Sequence, residues 1–167
     1  MSENPLLHYC YKILAKRDYS EFKIRQKLTQ RNASDSEQDD IINHLKEKNF
    51  LNEKNYARLR SLGLIRKGFS PEMIQQKLNA EFVPISLSEI YEFLDEAGDD
   101  TKNQISKLIE KKTRSIQIPV DDEPEFQKLL AKIFRYLKSK GHTASIKEIR
   151  QEILSKNPSS VDERHFI

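Results

Sequence analysis

The residues able to do covalent, acid–base or metal chemistry in this chain are few and scattered. Four histidines, His8, His44, His142 and His165, fall on separate segments. None shows the His–x3–His spacing that sets two imidazoles on one helix face for a metal. Cys10 is the single cysteine, so it can form neither an internal disulfide nor a thiolate metal site. Among Leu6, Leu7, Tyr9 and Ile13 at helical spacing, it reads as a small buried residue in a reducing, cytoplasmic setting. Carboxylates occur as neighbours in Asp39-Asp40, Asp99-Asp100 and Asp121-Asp122. Beside helix starts they complement the positive end of the helix dipole, which is a sufficient structural reason for them. No glycine-rich phosphate loop is present. The reading is a protein with no catalytic residue, no metal and no cofactor, hence not an enzyme.

Cations, by contrast, are plentiful and ordered. Lys16, Arg17, Lys23, Arg25, Lys27 and Arg31 cluster in the first segment, and Arg58, Arg60, Arg66 and Lys67 hold related places further on. Such a ladder suits a repeating, charged partner, either a nucleic-acid backbone or a protein filament. The plainer alternative is a set of charges that keeps helices solvated. Net charge is only +3, yet its distribution is patterned. Residues 1–34 hold seven basic and three acidic groups, residues 35–55 three and six, residues 56–85 five and two, and residues 86–100 no basic group and six acidic ones. Blocks of alternating sign can place basic and acidic stripes on different faces.

The elements that position these charges are helices. With 167 residues, 37% hydrophobic, 33% charged and no tryptophan, and a mean hydropathy of −0.75, the chain cannot fill a thick core. Its apolar residues are nevertheless periodic. An elongated, all-α protein with shallow cores is expected. The first residues lack a signal-peptide pattern and no run is long enough to span a membrane.

A first helix is read over Pro5–Arg17. A second starts at Ser20, whose oxygen can cap free N–H groups, with Tyr19 before the cap positioned to pack on Ile24. After a polar break, "RNASDSEQDD", a third carries Ile41, Ile42 and Leu45. The text then repeats: "AKRDYSEFKIRQKL" (15–28) is echoed by "IRKGFSPEMIQQKL" (65–78), matching Tyr19 to Phe69, Ser20 to Ser70, Ile24 to Ile74 and Leu28 to Leu78. Tyr56, Leu59, Leu62 and Ile65 give the helix before that echo, breaking near Gly68. Pro71 starts the next one, and Ser86 with Glu89 starts a helix bearing Ile90, Phe93 and Leu94. A diverged third unit aligns Ile133 with Ile74, Leu137 with Leu78, Ser145 with Ser86 and Glu148 with Glu89. A helix from about Asp100 to Lys112 opens it, and "RSIQIPVDDEP" reads as an extended, exposed insertion. The expected organisation is three tandem three-helix repeats: 1–51, 52–98, and 99–167 with an inserted connector at about 114–124. Stacking explains it, because one small bundle buries too little apolar area alone.

Two motifs carry a family resemblance: "ILAKRDYSEFKIRQKL" and "NFLNEKNYARLRSLGLIRKGFSPEMIQQKL". Within them stand Arg17-Asp18-Tyr19-Ser20, Phe50-Leu51-Asn52-Glu53 and Tyr56-Ala57-Arg58. In order and spacing these resemble the RecX family of bacterial recombination regulators, over roughly residues 7–155. Asn52-Glu53 stands where the family usually has an Asp pair, and Lys140-Gly141-His142 where it has an Arg-Gly-aromatic turn. The resemblance implies a curved module of three-helix repeats that binds the RecA recombinase in the groove of the RecA–DNA filament. It implies inhibition of RecA's ATPase, strand exchange and co-protease activity, damping the SOS response. The ten cations above would meet acidic RecA surface or filament DNA, with weak binding to bare DNA, and the protein would act as a monomer away from membranes. The alternative is a helix-turn-helix-like DNA-binding protein acting without RecA, built on "GHTASIKEIRQEIL". The two glutamates on that helix's exposed face disfavour it, since they repel phosphates.

Overall fold

A computed structural model describes residues 4–157. Met1 to Glu3 and residues 158–167, which include His165 and the end of the third expected repeat, lie outside the described residues. The described chain holds nine helices and no strand. They are α1 (Pro5–Leu14), α2 (Glu21–Thr29), α3 (Asp35–Glu47), α4 (Glu53–Arg66), α5 (Pro71–Ala80), α6 (Leu87–Glu96), α7 (Thr101–Thr113), α8 (Glu123–Ser139) and α9 (Ile146–Lys156).

Local chemistry accounts for nearly every helix start. Asn4, Ser20, Ser34, Asp100, Asp122 and Ser145 each accept backbone N–H bonds at their helix's first turn. Ser70 Oγ accepts from the Met73 N–H, ahead of Pro71 as the first residue of α5. Every third helix opens on the same reciprocal box: Ser34 with Glu37, Ser86 with Glu89, and Ser145 with Glu148.

Helix ends follow an equally regular rule. Six turns pass through a left-handed residue: Asn32, Asn49, Gly68, Phe82, Gly98 and Gly141. In each, the next N–H bonds back to a leucine carbonyl, from Ala33 to Leu28, Phe50 to Leu45, Phe69 to Leu64, Val83 to Leu78, Asp99 to Leu94 and His142 to Leu137. This is the Schellman ending, where the left-handed position favours glycine or asparagine. Phe82 departs from that preference.

The described chain divides into two compact units. One runs through to Gly63 and takes up Ile74–Phe93; the other is Leu64–Met73 together with the chain from Leu94 onward. In the first, Cys10 of α1, Ile24 and Leu28 of α2, Ile41, Ile42 and Leu45 of α3, and Leu51 form one core, with Tyr9, Tyr19 and Leu6 packed on it. In the second, Phe126, Leu130, Ile133 and Leu137 line one face of α8 against Leu108 and Ile109 of α7 and Ile149 and Ile153 of α9. The α4–α5 turn docks on this unit through a Ser70 N–H to Lys140 carbonyl bond of 2.9 Å. His142 Nε2 meets the Gly68 carbonyl at 3.0 Å. A methyl at Gly141 would come within 2.6 Å of Ser70 Oγ, so only glycine permits this approach.

Several expectations need correction. α1 ends at Leu14, not Arg17, and 15–20 form the turn that presents the basic residues. The "RNASDSEQDD" break ends at Ser34, because the Ser34–Glu37 box starts α3 at Asp35; Asp39 and Asp40 therefore lie inside the helix. Of the four residues that mark α4 in the sequence, Tyr56, Leu62 and Ile65 are buried and Leu59 is 43% exposed. The connector expected at about 114–124 ends at Asp122, which caps α8, so Glu123 and Pro124 are helical. Nor is it wholly exposed, since Ile118 and Val120 pack on the core of the second unit.

Candidate functional site

The α1–α2 turn determines the site. Ser20 is fully buried and caps α2, which fixes the preceding residues at the surface. Tyr19, packed on the core beside them, becomes a ring on which cations settle. Arg17 Nε donates to the Tyr19 hydroxyl at 2.8 Å, and its guanidinium lies 4.7 Å from the ring centroid. Lys27 Nζ lies 5.4 Å from the same centroid, and the Arg31 guanidinium covers the Tyr9 ring at 3.5 Å. Such contacts hold a cation in place without neutralising it.

Arg17, Tyr19, Lys23, Lys27, Tyr56 and Arg60 line a concavity of about 490 Å³ in the first unit, together with the carboxylate of Asp18. Three of these side chains, Lys23, Tyr56 and Arg60, meet at Glu81. Arg60 Nη2 donates to Glu81 Oε1 at 2.7 Å, Lys23 Nζ approaches Oε2 at 2.9 Å, and the Tyr56 hydroxyl donates to Oε2 at 2.8 Å. Burial works to raise the Glu81 carboxyl, but the hydrogen bonds from Arg60, Lys23 and Tyr56 prevail and hold it at about 2. Burial likewise opposes charge on Lys23, whose bonds to Glu81 and Tyr56 nonetheless raise its pKa, and the Glu81 bond raises that of Arg60. All three stay charged at neutral pH. The concavity keeps a positive excess even with Asp18 and Glu81 counted, because Arg17 and Lys27 lie on the Tyr19 ring and not on a carboxylate.

The ten cations expected at the site thus part ways. Arg17, Lys23, Lys27 and Arg60 come together, with Lys16 exposed on the same turn and Arg31 exposed on Tyr9. Arg25 faces elsewhere, held by Glu21 at 2.9 Å and Asp39 at 2.8 Å. Arg58 lines a separate cleft of the first unit. Arg66 and Lys67 are exposed and belong to the second unit. Sequence reasoning missed Glu81 and the two ring platforms. The signal was available in the repeat alignment, where Glu81 takes the place of Arg31, a charge reversal three positions beyond the matching text.

The other candidates carry structural roles. Cys10 is buried, and burial pushes its thiol up to about 11 despite Arg31 nearby. His44 shares a 2.8 Å hydrogen bond with the Tyr11 hydroxyl. Among the described residues no three His, Cys, Asp or Glu side chains converge as a metal site, and no helix is long and apolar enough to cross a membrane.

No family model matches the sequence, and no solved structure matches it. Curated relatives do. The chain is 28% identical over 134 residues to a protein named Regulatory protein RecX from Haemophilus influenzae, covering 80% of this chain and 84% of that one. It is 29% identical over 138 residues to the protein of that name from Pasteurella multocida, covering 83% and 80% respectively. A Clostridium perfringens protein of the same name is 32% identical over 136 residues, covering 74% of this chain and 56% of that relative. These relatives bear the name of a regulatory protein, not of an enzyme.

Proposed function

This chain belongs to the RecX family, and from that premise we propose that it binds the RecA recombinase on DNA and restrains it. Its role is to damp RecA's ATPase, strand exchange and co-protease activity, as a cytoplasmic monomer in recombination and the SOS response. The observation that carries this reading is the ring-backed basic concavity of the first unit. Arg17, Lys27, Lys23 and Arg60 converge there beside two tyrosines, a surface suited to the phosphate backbone within a filament. Arg66 and Lys67, exposed on the second unit, are further cations for the same partner. The three tandem repeats, 1–51, 52–98 and 99–167, belong to the same proposal; the recurrent boxes opening α3, α6 and α9 support them.

The test is RecA's DNA-dependent ATPase measured against added protein. Inhibition is expected, and an unaltered ATPase ends the reading. The variant that probes the site reverses Lys16, Arg17 and Lys27 to Glu, sparing Arg25 because its ion pairs are internal. It should need about ten-fold more protein for the same inhibition, with helicity retained. Equal inhibition would remove this surface from the interface.

A further inference from the structure

Phe82 breaks the rule that the other helix ends obey. Its φ of 57° is left-handed, a conformation in which a bulky side chain is an outlier. The five other left-handed ends use asparagine or glycine. Phe82 is nevertheless 66% exposed, so burial does not offset the strain. Its ring stacks on Phe22 with centroids 4.1 Å apart and planes 29° from parallel. Backbone strain kept for an exposed aromatic points to use of that side chain.

The pair stands in a cleft of about 850 Å³ within the first unit, with Val83, Pro84, Ile85 and Phe93 among its apolar walls. Charge on the rim limits what can enter. Four carboxylates, Glu21, Glu53, Glu89 and Glu92, face three cations, Arg25, Lys54 and Arg58. Arg25 and Glu21 pair at 2.9 Å and extend to Asp39 and Lys46, a group of four that sums to zero. That leaves Glu53, Glu89 and Glu92 against Lys54 and Arg58, an excess of one negative charge, which opposes a phosphate backbone and favours an apolar group with a cation beside it.

We propose that this cleft is a protein-docking site. It seats an aliphatic or aromatic side chain flanked by lysine or arginine, presented by a recombinase subunit, while the basic concavity takes the DNA. The inference rests on the recombinase reading above. It divides the labour of one unit between two surfaces, a cationic one for nucleic acid and an aromatic, acid-rimmed one for protein.

The test compares binding of the full chain to RecA assembled on single-stranded DNA with binding to the same DNA bare. Phe82→Asn restores the residue type used at Asn32 and Asn49, so Tm should stay within about 3 °C of the parent. Filament affinity should fall about ten-fold while affinity for bare DNA is unchanged. Phe82→Tyr keeps the ring and should bind the filament like the parent. Filament binding by Phe82→Asn equal to the parent's overturns this proposal and leaves the recombinase reading standing. A matching loss on bare DNA overturns it in favour of base stacking. A concentration-dependent dimer in sedimentation that Phe82→Asn abolishes assigns the cleft to a second copy and overturns it too. A fall in Tm beyond about 3 °C means that the ring serves the fold and overturns the proposal. A parent protein that ignores the filament overturns both readings.

Discussion

Glu81 concentrates the energetics of the site in one carboxylate. Lys23, Arg60 and Tyr56 all bond to it, so its removal leaves two partly buried cations without their shared acceptor. Glu81→Gln should destabilise the protein by about 1–2 kcal/mol, a value already discounted for the solvent that reaches Lys23 and Arg60. Urea unfolding at pH 7 measures it. The acid side has a defined sign. The folded carboxyl titrates at about 2, against 4.5 for the free group. Its contribution is therefore complete above pH 4.5 and is lost as pH falls toward 2. Unfolding midpoints across that window should drop more steeply in the parent than in Glu81→Gln.

At the scale of the element, turns decide more than helices. Gly141 and Gly98 share a left-handed φ, of 86° and 66°, but differ in their surroundings. A methyl on Gly141 would lie 2.6 Å from Ser70 Oγ and 2.7 Å from Met73 Cβ, whereas nothing lies within 4 Å of one on Gly98. Gly98→Ala should cost about 1 kcal/mol and Gly141→Ala about 2–4 kcal/mol, read by thermal unfolding. The same turn contains His142, 2% exposed. Its Nε2 bonds the Gly68 carbonyl, which makes Nε2 the protonated nitrogen, and Nδ1 has no hydrogen-bond partner. Burial lowers its pKa from 6.5, outweighing the Gly68 bond and the Glu72 charge. Stability from the neutral ring is thus full above pH 6.5 and declines as pH falls below it. Tm of the parent should fall between pH 7 and pH 5 by more than that of His142→Leu.

At the scale of the molecule, the prediction concerns salt. If the basic concavity engages filament DNA, affinity should fall as ionic strength rises, and each phosphate contact removed should flatten the log–log slope by about one. Reversing Lys16, Arg17 and Lys27 should flatten it, whereas Phe82→Asn should lower affinity without changing the slope. A common slope for the two variants would contradict the separation of surfaces.

Much of the fold was legible in the sequence because it is written in local chemistry. Ser20, Ser86 with Glu89, and Phe69-Ser70-Pro71 start helices through hydrogen bonds and ring constraints that span four residues or fewer. Apolar spacing located the buried faces of α2, α5 and α8, where Ile24, Leu28, Ile74, Leu78, Ile133 and Leu137 are all buried. The cations too were visible, but not their fates. Whether a lysine or arginine stays available depends on a carboxylate or ring from another helix, and such pairings have no sequence period. Only tertiary structure set Lys23 and Arg60 on Glu81 across more than 20 positions of chain, closed Arg25 on Asp39, and left Arg17 and Lys27 on Tyr19. The same holds for the aromatic cleft. In the sequence Phe22 and Phe82 are ordinary apolar residues sixty positions apart, and the turn after α5 makes them a stacked, exposed pair.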